Sequence, residues 1–424
     1  MRLQNRNSMN QNENIAKNMM WNTIGNLVYC ICQWVITILT VRLGSFSAAG
    51  YLSLAMSTSS TFSTIAMFSM RNYQVSDIKK EHSNSEYLGS RMITCVIAYA
   101  LCSVYALKSN SIYQMLCIDA FMLIRIAESW VDVLHGIDQE YNRYDFIGKS
   151  YLFRGFATIV FFVLGIVVTS DILFAISICG IGNLMIMLVY DVRMTATLEK
   201  LSFSFAKDRI LLLLKKCFPI VITSFLLSMI PLLPRTAIQT FVGNENLGVY
   251  SSIASPTLIV QVFATYAFNP LIPRIATMFN ERRYDEFLNL FHKLLVVFVG
   301  FGGLITLGAL LLGRLGLTIL YGSHILDYYS YFMPLVWCTI FTAYVWILNS
   351  IVTSIRKIIP MMLVMVFSFG IDWIFNKKFI EQFSTNGASY IQLLSFIIIV
   401  VSLILIIELT VRKKKTNFHK EESL

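Results

Sequence analysis

Apolar runs of about twenty residues recur along the whole chain, separated by short polar stretches. A helix rises about 1.5 Å per residue, so each run is long enough to cross the ~30 Å hydrocarbon core of a bilayer. Recurring many times, such runs require a helical bundle in lipid. Composition agrees, since 56% of the 424 residues are hydrophobic, only 14% are charged and mean hydropathy is +0.65. An average soluble domain carries roughly 25% charged residues. A water-soluble globule is therefore excluded. The start, MRLQNRNSMNQNENIAKN, is polar and the first apolar stretch is a full-length helix, so no cleavable signal peptide is expected.

The apolar windows predict spans at about 18–41, 46–70, 87–107, 111–134, 150–169 and 171–191, then at about 217–241, 247–270, 291–312, 328–350, 356–375 and 387–409. The expected fold is thus an all-α integral membrane bundle of about twelve transmembrane helices. Its orientation follows from the basic residues. The two termini and the even-numbered loops carry 26 of the 34 Lys and Arg, the other side carries 5 (Arg42, Lys108, Arg314, Lys377 and Lys378), and Arg125, Arg154 and Arg235 fall inside spans. Lys and Arg concentrate on the cytoplasmic side, which predicts that both termini are cytoplasmic. The same distribution accounts for the net charge of +10 without any nucleic-acid partner. The eight cysteines lie at irregular spacings in or beside apolar segments and read as core packing, neither a disulfide framework nor a metal site.

Two six-helix lobes are expected, 1–193 and 217–411, joined by a cytoplasmic linker at 194–216 and followed by a basic tail at 412–424. Within the linker FAKDRILLLLKK can put Phe205, Ile210 and Leu213 or Leu214 on one face, as an interfacial amphipathic helix or as an extension of the seventh span. Gly44, Tyr51, Ser53 and Ala55 recur at a constant offset as Gly243, Tyr250, Ser252 and Ala254, both sets at the entry to the second helix of a half. This weak repeat fits two parallel lobes with a cleft between them.

Charges at bilayer depth are costly, about 2.5–3.5 kcal/mol each on insertion scales, and so normally face a bundle interior or a wet cavity. In the fourth span Arg125, Glu128, Asp132 and His135 follow at spacings of three, four and three, along one helical face. Glu128 and Asp132 can partner Arg125, either as glue between helices or as the lining of a vestibule. Arg154 and Arg235 have no acidic residue one helical turn away in the sequence, which makes them ligand candidates. Arg235 follows Pro234 and Pro231, residues that free backbone carbonyls and kink a helix. Guanidinium grips phosphate bidentately; Arg235 could instead snorkel to the outer headgroups. Asn22, Asn26 and Gln33 lie on roughly one face of the first helix and suit either sugar hydroxyls or interhelical hydrogen bonds. Asp119 and Asp372 are lone acids within spans. An enzyme has little to rest on, with no Walker-type glycine loop, HExxH pair or nucleophile elbow, and without the large hydrophilic loop of a surface-glycan polymerase.

Six segments carry a resemblance: NxxWNTIGNLVY at 18–29, VRLGSFSAAGY at 41–51, MRNYQVSDI at 70–78, PRTAIQTFVGNENLGVYSSIASP at 234–256, ILYGSHILDY at 319–328 and FSTNGASY at 383–390. Together they resemble the Wzx-type polysaccharide flippases (O-antigen, capsule, exopolysaccharide) of the MATE-like superfamily. The resemblance implies two lobes around a cationic cavity that alternates between the cytoplasmic and outer faces of a bacterial inner membrane. It implies an undecaprenyl-pyrophosphate-linked oligosaccharide as cargo, with Arg71, Arg154 and Arg235 as pyrophosphate candidates, of which Arg71 and Arg235 sit in matching segments; from the residues themselves Arg125 and the amides Asn22, Asn26 and Gln33 join them as pyrophosphate or sugar candidates. It further implies membrane lipid, a polysaccharide polymerase and a chain-length regulator as partners. No cofactor is expected beyond a coupling proton or sodium ion, for which Asp119, Glu128, Asp132 and Asp372 are the acids. A drug or metabolite antiporter of the same superfamily and a polytopic surface-glycan polymerase are the rival readings.

Overall fold

The structure, a computed structural model, describes residues 2–77, 80–268 and 270–422; Ile78, which ends one of the segments above, and Lys79 lie outside them. Among the described residues there is helix and no strand. The chain divides into two compact units between Phe225 and Leu226.

The first unit runs through α1 (Arg2–Leu43), α2 (Phe46–Met67), α3 (Met70–Ser76), α4 (Asn84–Ser109), α5 (Ile112–Glu140), α6 (Tyr144–Thr169), α7 (Ile172–Ile186), a π-helical turn (Met187–Asp191) and α8 (Val192–Ala196). It closes on the first half of α9 (Lys207–Phe241). The second unit holds the rest of α9, α10 (Asn244–Ala254), α11 (Leu258–Phe268), α12 (Leu271–Asn280), α13 (Tyr284–Tyr321), α14 (Phe332–Ser354), α15 (Ile358–Phe383) and α16 (Thr385–Glu422). Helix starts follow local chemistry. Ser45 caps α2 by accepting from the Ala48 amide, and Ser83 with Glu86 and Ser111 with Gln114 form reciprocal capping boxes on α4 and α5.

Ten helices are long and apolar enough to cross a membrane among the described residues, so the chain is a multi-pass membrane protein. Two further expected spans, α2 and α5, are also long helices but fail on polarity. Packing explains why they tolerate it, because they lie against each other, against α4 and, for α5, against α7. Nine of the 22 residues of α2 are Ser or Thr, and several return their hydroxyl hydrogen to the preceding turn, as Ser57 does to the Ser53 carbonyl at 2.7 Å and Thr61 to that of Ser57 at 3.0 Å. These are inner helices, screened from lipid by their neighbours. The repeat noted in the sequence also falls where expected, since Gly44 and Gly243 stand just before α2 and α10.

Two local expectations need correction. FAKDRILLLLKK forms no separate interfacial helix; residues 200–206 are non-helical and α9 runs unbroken from Lys207, so this segment extends the seventh span. The extended piece is tied to the start of α4: the Ser204 amide donates to the Ser85 carbonyl at 3.0 Å, and Arg209 reaches Glu86 at 3.0 Å. Arg91, counted above with the loop cations, lies inside α4 and is fully buried.

α1 and α6 approach until their backbones touch. A Cβ on Gly25 would stand 2.1 Å from the Gly148 carbonyl oxygen, and one on Gly148 would stand 2.2 Å from that of Trp21. Only glycine allows this crossing. One turn further, Tyr29 of α1 faces Arg154 of α6, its ring centroid 5.6 Å from the guanidinium. Gly148→Val should therefore cost about 1–3 kcal/mol through overpacking, read as a lower thermal midpoint in detergent. An unchanged midpoint would mean that the two helices stand further apart.

Candidate substrate-binding site

The polar residues of the first unit assemble around α5. Glu128, 8% exposed, is approached from three helices. Arg125 donates to it at 2.5 Å from its own helix, Arg154 of α6 lies 3.5 Å away, and the Tyr29 hydroxyl of α1 donates to it. Arg154 also donates to Asn183 of α7 at 3.2 Å, and Asn183 in turn donates to Thr158 at 3.2 Å. Arg154 thus has an acidic partner, supplied by α5 across the bundle. One turn along, Asp132 accepts from the fully buried Arg91 at 2.9 Å and lies 3.6 Å from Arg71. Asp132 therefore pairs with Arg91 and Arg71, and of the two acids only Glu128 meets Arg125.

Arg71 reaches this place through a break in the second span. Phe68 and Ser69, both with φ of 51°, leave α2 in left-handed conformation and start α3 on a new axis. Arg91 and Thr94 hold the end of α2 by donating to the Ala66 carbonyl at 2.7 and 2.8 Å. Arg71 then donates to Gln139 at 3.1 Å. Near the same end, the π-helical turn carries Asp191 against His135, 3.5 Å apart and both buried. π turns commonly mark functional positions.

Among the described residues, four guanidiniums thus pair with Glu128 and Asp132, and two further buried acids stand beside them, Asp191 facing His135 and Asp138 accepting from Thr195. Arg71 and Arg125 are 22% and 17% exposed, whereas Arg91 and Arg154 are 0% and 2%. The first two can touch a ligand; the second two hold the carboxylates behind them. Glu128 and Asp132 are one turn apart, which sets the two cationic centres about 6 Å apart along the helix axis.

The remaining candidates do not join this cluster. Asp119, about two and a half turns away on α5, accepts from Ser103 at 2.7 Å. Asn26 is exposed and accepts a long contact from Cys30 at 3.9 Å, Asn22 is half-buried, and Gln33 turns inward beside Ile36, Leu52 and Phe121. In the second unit Arg235 is half-buried on α9 and close enough to Tyr250 of α10 to act on it electrostatically. Tyr250 shares a hydrogen bond of 3.1 Å with Ser389 and also feels Asp372. Asp372 is fully buried on α15 between Ser368 and Asn376, and neither of its carboxylate oxygens has a hydrogen-bond partner among the described residues.

Arg91, Tyr29 and Asn183 were missed in the sequence. Arg91 carried a usable signal, because it stands two turns inside a helix and not in a loop. Tyr29 and Asn183 carried none. Replacing Glu128 by Gln should leave Arg125 and Arg154 without their shared counter-charge and cost about 3 kcal/mol or more. The expected result is a sharply lower thermal midpoint or loss of folded protein, and a wild-type midpoint would show that Glu128 carries little of the neutralisation.

No family model matches the chain. Among characterised proteins it is similar to the capsular polysaccharide biosynthesis protein CapF of Staphylococcus aureus, with 21% identity over 315 residues covering 73% of this chain and 78% of that protein. Among solved structures, an inward-facing multidrug resistance MATE family transporter of the MOP superfamily superposes with a TM-score of 0.67 at 12% identity, covering 95% of this chain and 99% of the other. Lipid II flippase MurJ in an inward closed conformation gives 0.67 at 13% identity, covering 94% and 90%. The Vibrio cholerae MATE transporter VcmN in its bent form gives 0.60 at 13%, covering 95% and 98%. The chain has the fold that these MOP-superfamily transporters and the lipid II flippase share.

Proposed function

We propose that this protein flips an undecaprenyl-pyrophosphate-linked oligosaccharide from the cytoplasmic to the outer face of the cytoplasmic membrane, for assembly of a surface polysaccharide. The observation that carries the proposal is the gathering of four guanidiniums on Glu128 and Asp132, of which Arg71 and Arg125 keep partial exposure. Ionised groups gathered inside a membrane bundle are costly and are commonly functional, and an anionic cargo is what these arginines would serve. Guanidinium is the preferred partner of phosphate oxygens because its N–H groups can engage two of them at once. Moving a pyrophosphate and several sugars through hydrocarbon is prohibitive without a polar path, and a membrane transporter by alternating access supplies one. The similarity to a capsular polysaccharide biosynthesis protein and the fold in common with a lipid II flippase support the same class of cargo.

On this reading Arg71 and Arg125 touch the pyrophosphate in the first unit, where Arg154 and Arg91 position the cluster, and Arg235 is a separate anion contact in the second unit. Glu128 and Asp132 act as fixed counter-ions. That leaves Asp372, with no hydrogen bond to its carboxylate oxygens among the described residues, as the acid best suited to bind a coupling proton or sodium ion. A multidrug antiporter is the second reading, favoured by the match to MATE transporters. It predicts an anionic lining for cationic drugs, the opposite of the cluster around α5.

Loss of the gene should make lipid-linked repeat units accumulate on the cytoplasmic face, seen by mass spectrometry of extracted lipids. Unchanged lipid intermediates with raised dye sensitivity would favour the antiporter. Arg71→Ala and Arg235→Ala should each abolish surface polysaccharide export, with membrane-inserted protein at wild-type level. Export at wild-type level in the Arg235 variant would make that residue a headgroup anchor.

A further inference from the structure

We infer that a cavity in the second unit, walled by Trp346, Asn349 and Ser350 of α14, Thr265 and Ala264 of α11 and Leu227 of α9, binds a sugar residue of the cargo; this rests on the function proposed above. The cavity measures about 360 Å³, within the ~300–1,000 Å³ range of small-molecule sites. α14 packs against α11, α13 and α16, and most of its residues are buried. Trp346 is nonetheless 45% exposed. Asn349 and Ser350 follow it at spacings of three and four, so all three lie on one face.

The chemistry of the walls selects the ligand. Among the described residues no charged side chain lines the cavity, which disfavours the pyrophosphate. Its polar groups offer acceptor oxygens, alongside the N–H donors of the Asn349 amide and the Trp346 indole. The Asn349 Oδ1 is buried without a hydrogen-bond partner among the described residues. Ser350 donates its hydroxyl hydrogen to the Trp346 carbonyl at 3.0 Å and Thr265 donates to that of Gln261 at 2.8 Å, so both oxygens offer lone pairs. Pro231 has no N–H for the Leu227 carbonyl four residues back, which removes the usual intrahelical donor there. A neutral ligand rich in O–H donors, with a flat face of C–H groups to lie on an indole, answers all of these at once. A sugar ring has that constitution.

The test is thermal stabilisation of the purified full chain by two probes. One is undecaprenyl pyrophosphate, and the other is the same lipid carrying the oligosaccharide that accumulates when the protein is depleted. Wild-type protein should bind the glycosylated lipid more tightly than the bare one. Trp346→Ala and Asn349→Leu should each weaken binding of the glycosylated lipid about tenfold and leave the bare lipid's affinity unchanged, while Trp346→Phe keeps the sugar's contribution. If the alanine and leucine variants keep the wild-type preference, or wild type binds both lipids equally, the sugar site is overturned while carrier binding stands. If wild type binds neither lipid, the proposed function fails and this site with it. If instead Trp346→Ala abolishes stabilisation by tetraphenylphosphonium and spares the sugar's contribution, the sugar site is overturned and the cavity takes a lipophilic cation.

Discussion

Neutralisation of arginine by two carboxylates on one helix is the interaction on which the first unit depends. Glu128 and Asp132, a turn apart on α5, draw in Arg154 from α6, Arg91 from α4 and Arg71 from α3, as well as Arg125 from α5 itself. A buried guanidinium without a counter-charge would cost several kcal/mol, so α4, α6 and the break after α2 are held in register by the need to bring each cation to an oxygen. α5 is therefore the organising helix of the unit, and its polarity, which would be a defect facing lipid, is tolerated only because α2, α4 and α7 cover it.

That arrangement depends on backbone geometry. The contact of Gly25 with Gly148 brings α1 close enough to α6 for Tyr29 to reach both Arg154 and Glu128. The left-handed pair Phe68 and Ser69 redirects the chain so that Arg71 points toward Asp132 and does not continue along α2. Function, on the reading proposed here, exploits what this packing leaves over: Arg71 and Arg125, the two arginines that stay partly exposed after pairing. The second unit follows a different plan, with Arg235, Tyr250 and Asp372 spread over α9, α10 and α15 and an uncharged cavity beside α14.

Much of the fold was legible because hydropathy acts residue by residue. Every expected span corresponds to a helical segment, and the windows at 46–70 and 111–134 are recovered as α2 and α5 even though both fail the apolarity that the other spans meet. The stripe of Arg125, Glu128, Asp132 and His135 was also legible, since 3.6-residue periodicity is a local property. Its partners were not. Arg154 has no acid within a turn along the sequence, yet it meets Glu128 26 residues away in the chain. Arg91 was read with the loop cations because positive-inside counting weighs sequence neighbourhood and is blind to a guanidinium folded back under the end of α2.

The sequence by itself determined that this chain is a multi-pass helical membrane protein with ionisable residues in its spans, because insertion into hydrocarbon is judged one segment at a time. Only the tertiary structure decided which charge faces which, which arginines stay accessible and where an uncharged cavity opens. The reason is physical: ion pairs and cavities are made between helices, and their energies depend on distances that no single segment contains.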